Sequence, residues 1–183
     1  MDGVCCDFPC AAIRAHGGHV PDVLAAWERE YSGKSANYEV MGLPDPEFWR
    51  AANHQDEQFW RQIPEYPWFR QLYDELQALA SVVFCSSAGP CPGALSGKLS
   101  WLQDRFGAAF QAYVFTSQKA HLAQQGAILV DDYEVYVTAF RHAGGQAVLF
   151  PQLWGGNAHI TKRVSYTVHE VQHCLDRLYI SPS

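Results

Sequence analysis

The pattern that most constrains the fold lies in the second half of the chain. After Ala80, four short apolar runs, SVVFCS (81–86), AYVFT (112–116), GAILVDD (126–132) and QAVLF (146–150), alternate with helix-forming segments. A helix over ALSGKLSWLQDRF stops at Gly107, a short one runs through SQKAHLA, and one through YEVYVTAFRHA stops at Gly144 and Gly145. Strands joined through helices pair in parallel by right-handed crossovers. The expected fold is therefore α/β, a parallel sheet flanked by helices on both faces.

The first part reads differently. From Pro21 to Ala80 the signals are helical: PDVLAAWEREY carries Val23, Leu24, Trp27 and Tyr31 at helical spacing. In LPDPEFWRAAN, Asp45 reads as an N-cap with Pro46 at the first helical position. HQDEQFWRQI and PWFRQLYDELQALA follow, the second placing Phe69, Leu72, Leu76 and Leu79 on one face.

Composition narrows the function classes. A chain of 183 residues, 48% hydrophobic and 14% aromatic, is long and apolar enough to bury a core as one domain. Its net charge of −6, with no Lys/Arg cluster, repels a nucleic-acid polymer but leaves room for a small phosphate ester neutralised locally. The cysteines at 5, 6, 10, 85, 91 and 174 follow no disulfide framework and read as free thiols. MDGVCCDFPC has neither the basic start nor the apolar stretch of a secretory signal, and no run approaches a membrane span. These readings predict a cytoplasmic protein with no membrane partner.

In a parallel sheet, ligands bind at the carboxyl ends of strands. There the sequence places Ser86-Ser87, Lys119 after the second run and Asp131-Asp132 after the third, while Asp2-Gly3-Val4 and Asp7-Phe8 open the chain. Carboxylates that hold Mg²⁺, hydroxyls that hold phosphate oxygens and a lysine that balances charge make a metal-assisted phosphate site. Each element also has a purely structural reading. A Ser-Ser pair suits a turn or a cap, one aspartate caps the next helix, and a lone lysine sits on the surface.

Taken in order, these segments resemble the haloacid-dehalogenase-like phosphatases, in the form of the 5′(3′)-deoxyribonucleotidases. MDGVCCDF is similar to their first motif, VVFCSS to the second, TSQKAHLA to the lysine motif and AILVDD to the acidic fourth motif; the tail VLFPQLWGGN also fits. The resemblance covers most of the chain and is loose over residues 14–70. It implies a Rossmann-like core over 1–13 and 81–183, with a helical cap insertion and linking helix over 14–80. It also implies Mg²⁺-dependent hydrolysis of nucleoside or deoxynucleoside monophosphates, or of other small phosphomonoesters, with a homodimer left open.

The resemblance carries roles residue by residue. Asp2 would be the general acid/base and give its backbone carbonyl to Mg²⁺. Ser86 would bind phosphate with Ser87 beside it, and Lys119 would neutralise developing charge. Asp131 would ligate Mg²⁺, with Asp132 as a further ligand or its supporting partner. Phe8 would line the base pocket, and the cap pairs Phe48-Trp49 and Phe59-Trp60 would either stack on a base or form bundle core. The attacking aspartate of that family aligns ahead of Met1, as does the apolar strand leading into it. A chain supplied with that residue is expected to turn nucleotide over. One without it is expected to bind nucleotide as a pseudoenzyme.

One motif points elsewhere. His169-Glu170-Val171-Gln172-His173 fits the His-Glu-x-x-His pattern of zinc proteases, with both imidazoles on one helix face and Glu170 as base. A third ligand is wanting: Asp176 and Tyr179 stand where one protease class has Gly and His. An amphipathic helix explains the segment as well.

Overall fold

The structure, a computed structural model, describes residues 1–36, 38–53, 57–89 and 91–180, with residues 50–53 and 179–180 described by backbone alone. In chain order the elements are α1 (Phe8–Ala15), α2 (Val20–Tyr31), α3 (Asp45–Asn53), α4 (Glu57–Arg61), α5 (Phe69–Leu79), β1 (Phe84–Ser86), α6 (Pro92–Phe106) and β2 (Tyr113–Phe115). They continue with a 3₁₀ turn (Lys119–Leu122), β3 (Ile128–Asp131), α7 (Glu134–His142), β4 (Gln146–Leu149) and α8 (Arg163–Ile180). The result is a mixed α/β chain whose strands pair in parallel, β1 with β2 and β3 with β4. The chain forms two compact units: 1–31, 36–66 and 83–117 make one, and 32–35, 67–82 and 118–183 the other.

In the first unit β1 pairs with β2 from Phe84↔Tyr113 to Ser86↔Phe115, and α6 makes the connection. The strand is shorter than its apolar run suggests, because Val83 is 54% exposed and stays outside the ladder. Helix α6 packs on α4, and Gly97 is what lets them approach: an alanine Cβ there would lie 2.5 Å from both the Glu57 carbonyl oxygen and the Trp60 Cβ. Trp101, fully buried, donates from Nε1 to the Ile63 carbonyl at 2.8 Å. Arg61–Asp104 and Arg105–Glu65, each at 2.7 Å, tie the same segments together at the surface. Helix α1 lies ahead of the helical stretch expected from Pro21 onward. Asp7 caps it by accepting from the Cys10 N–H at 3.2 Å, and Pro9 sits in its first turn, where no N–H is needed. Residues 54–56, within the expected HQDEQFWRQI helix, lie outside the described residues; α4 accounts for its later part.

In the second unit β3 and β4 run in register from Ile128↔Gln146 to Asp131↔Leu149. Successive side chains point to opposite faces. Leu129 and Ala147 pack with Val137 and Phe140 of α7, whereas Val148, with Ile128 and Val130, packs with Val171 and Cys174 of α8 and Leu76 and Leu79 of α5. Both faces of this pair are therefore covered by helices, which is why its strands read as unbroken apolar runs. All six cysteines are free, and no described helix is long and apolar enough to cross a membrane.

Because both contacts at Gly97 are backbone or Cβ atoms, Gly97→Ala forces α4 and α6 apart. It is expected to cost about 1–3 kcal/mol of stability, read as a lower midpoint in thermal or urea unfolding with the far-UV spectrum retained.

Candidate functional site

The residues singled out by sequence fall into two groups, one in each unit. In the first unit, the Met1 ammonium donates to the Cys85 carbonyl of β1 at 3.3 Å. The Met1 carbonyl accepts from the Cys5 N–H at 2.8 Å, and Gly3, at φ 73°, makes the turn between. This turn presents the Asp2 carboxylate to Lys98, whose Nζ lies 2.6 Å from Oδ2 and also donates to the Ser87 carbonyl at 2.8 Å. Only 3% of the Lys98 side chain is exposed, and its ammonium lies 4.8 Å from the centre of the Trp60 ring.

Burial works against the charge of Asp2, but the Lys98 ammonium and the N-terminal ammonium outweigh it and hold the carboxyl below its usual range. Cys6, whose thiol donates to Asp2 Oδ1 at 3.5 Å, is pushed well up by burial and next by the Asp2 charge, so it stays a thiol.

Ser86 is buried at the end of β1, and its carbonyl accepts from the Thr116 N–H at 2.8 Å. Ser87 is half-buried, and its hydroxyl accepts a long 3.5 Å contact from the Gly89 N–H, the turn role open to it from sequence. Phe8 is buried and stacks on both Trp60 (5.3 Å, 9°) and half-buried Trp49 (5.9 Å, 14°). Phe48 and Trp60 are core residues. Trp49 is thus the member of this stack with free surface to offer.

In the second unit, Lys119 departs from the surface reading: its side chain is 6% exposed, its Nζ lies 2.5 Å from Asp131 Oδ2, and the Tyr136 ring lies beneath it at 4.4 Å. Asp131 ends β3, buried, and its Oδ1 accepts from the Tyr133 N–H at 3.0 Å, so one carboxylate serves the lysine and the turn into α7 together. The next residue, Asp132, is half-buried and accepts from Trp154 Nε1 at 2.9 Å. Desolvation first, and the adjacent Asp131 charge second, push its carboxyl up to about 7. Two carboxylates with one ammonium leave an excess of negative charge on hard oxygen donors, the donor type that suits Mg²⁺.

Lys98 was not among the residues expected from sequence. Its signal was present: Ala94, Gly97, Lys98, Trp101 and Leu102 are the buried positions of α6, at helical spacing, and a lysine inside such a stripe needs a carboxylate partner. The indole of Trp154 was visible only as part of the tail VLFPQLWGGN. Among the described residues, one group of three potential ligands brings its donor atoms within 4.8 Å of one another: His169, Glu170 and His173. Asp176 instead accepts from Gln172 at 2.8 Å.

No protein-family model matches this chain, and no curated protein matches it either.

Two outcomes follow from the charges. Lys98→Met leaves the Asp2 carboxylate without its main partner, so the variant is expected to lose about 2–4 kcal/mol at neutral pH, measured by urea unfolding. Asp132 has a raised acid constant in the fold, so its contribution is complete below the ordinary carboxylate range and is lost as pH rises through about 7. In metal-free buffer the unfolding midpoint of the wild type should carry this downward component between those limits, and Asp132→Asn should remove it.

Proposed function

We propose that the protein is a Mg²⁺-dependent phosphomonoesterase, acting on nucleoside or deoxynucleoside monophosphates. The observation that carries this reading is Lys119: a lysine withdrawn from water at considerable cost, ion-paired to the strand-end Asp131, with a second carboxyl beside it at the edge of ionisation. A packing role alone is filled more easily by an apolar residue.

The order of the motifs assigns the roles. Ser86 and Ser87 hold phosphate oxygens, Lys119 neutralises charge as it develops, and Asp131 with Asp132 holds the metal. Mg²⁺, when bound, would polarise the phosphoryl group. Asp2 is the acid/base group, and the Lys98 ammonium 2.6 Å away sets its charge state. Trp49 is the stacking surface for a base. The finer architecture belongs to the same reading: a Rossmann-like core over 1–13 and 81–183, with residues 14–80 as cap and linking helix. So do a cytoplasmic setting and small phosphate esters as the ligands.

Binding and turnover are best measured separately, because the two together distinguish an enzyme from a nucleotide-binding pseudoenzyme. Calorimetry with a nucleoside 5′-monophosphate plus Mg²⁺ is expected to show binding, weakened on the order of a hundredfold or more in Lys119→Met and in Asp131→Asn. Phosphate release from the same ester, measured on a chain that carries the family's attacking aspartate, should require Mg²⁺ and stop with a chelator. Binding without release even then would identify a nucleotide-binding pseudoenzyme. A chain that binds no phosphomonoester in the presence of Mg²⁺ would end the reading.

A further inference from the structure

The last helix carries a feature that phosphomonoester chemistry does not use. His169 and His173 stand one turn apart on α8, with ring centroids 4.1 Å apart. Glu170 Oε1 lies 3.6 Å from His169 Nδ1. Both imidazoles are exposed and Glu170 is half-buried, while Val171 and Cys174 of the same helix pack into the second unit's core. The helix is therefore held by one face and presents the three donors from another.

We propose that His169, Glu170 and His173 form a binding site for a divalent transition-metal ion of the zinc class. Two imidazoles and a carboxylate select Zn²⁺, Cu²⁺, Ni²⁺ or Co²⁺, whereas Mg²⁺ prefers oxygen donors alone. Donors about 2.0–2.1 Å from a tetrahedral ion lie roughly 3.3 Å apart. The observed donors are within 4.8 Å of one another, so side-chain rotations would bring them to that spacing. The ion would clasp one turn of α8 and keep a position open for water. With Glu170 used as a ligand and Asp176 held by Gln172, the site binds metal and has no base free for peptide hydrolysis. It is independent of the phosphatase reading and stands or falls separately from it.

The test uses full-length protein without a histidine tag, titrated with ZnCl₂ in buffer free of Mg²⁺ and nucleotide. The expected result is one equivalent bound. Affinity should fall on the order of a hundredfold or more in His169→Ala and in His173→Ala, since even the loss of a supporting residue costs ten- to a hundredfold. Helicity should be unchanged in both variants. A second measurement needs no variant: Zn²⁺ should protect positions 169 and 173 of the wild type from imidazole acylation, mapped by mass spectrometry. Co²⁺ should give a spectrum without thiolate charge-transfer bands, which separates this site from the free cysteines. No binding, binding unaffected by both substitutions, or thiolate bands with positions 169 and 173 left unprotected would overturn the proposal.

Discussion

A buried lysine held by a carboxylate organises the chemistry-bearing part of each unit. Lys98 and Lys119 are both almost wholly withdrawn from water, and each would be intolerable alone. The desolvation penalty for an ammonium is several kcal/mol, so each must have a close carboxylate and further acceptors or an aromatic face. Asp2, the Ser87 carbonyl and the Trp60 ring surround the first; Asp131 and the Tyr136 ring attend the second. These needs fix more than the pairs. The first holds the opening turn of the chain against α6 and the end of β1. The second pins the end of β3 at the point where the backbone turns into α7.

The two carboxylates at the end of β3 are unequal because their surroundings are. Asp131 has an ammonium on one oxygen and a backbone N–H on the other. Asp132 has one indole donor and a charged neighbour, and its carboxyl is left near 7. The difference lies in Asp132, whose carboxyl is raised by burial and by the charge of its neighbour. Asp2 shows the opposite behaviour, since Lys98 and the N-terminal ammonium keep it ionised against its burial.

Element types were legible in the sequence to a large extent, for a simple reason. The unbroken apolar runs of β3 and β4, covered by helices on both faces, and the period-3.6 stripes in α5 and α6 follow from backbone geometry, and the apolar residues report them directly. Strand ends were less legible: Val82 and Val83 continue the apolar run but make no ladder, since apolarity does not reveal where a hydrogen-bonding partner stops. Helix α1 was hidden because Asp-Phe-Pro reads equally as a motif and as a cap with proline in the first turn. The aromatic pairs were ambiguous for a similar reason. Phe48 and Trp60 proved to be core, while Trp49 kept part of its surface, and one-residue differences in facing are decided by packing.

The sequence by itself determined that strands alternate with helices, that the pairs are parallel, that serines, a lysine and an acid pair fall at strand ends, and that two histidines share a helix face. Those properties depend on spacing along the chain, which needs no folding to be read. Tertiary structure alone decided which lysines are buried, which carboxylates they hold and which thiols are suppressed. Lys98 and Asp2 are far apart in sequence and Asp132 gains its raised acid constant from burial, so neither fact exists until the chain has excluded water from around these groups.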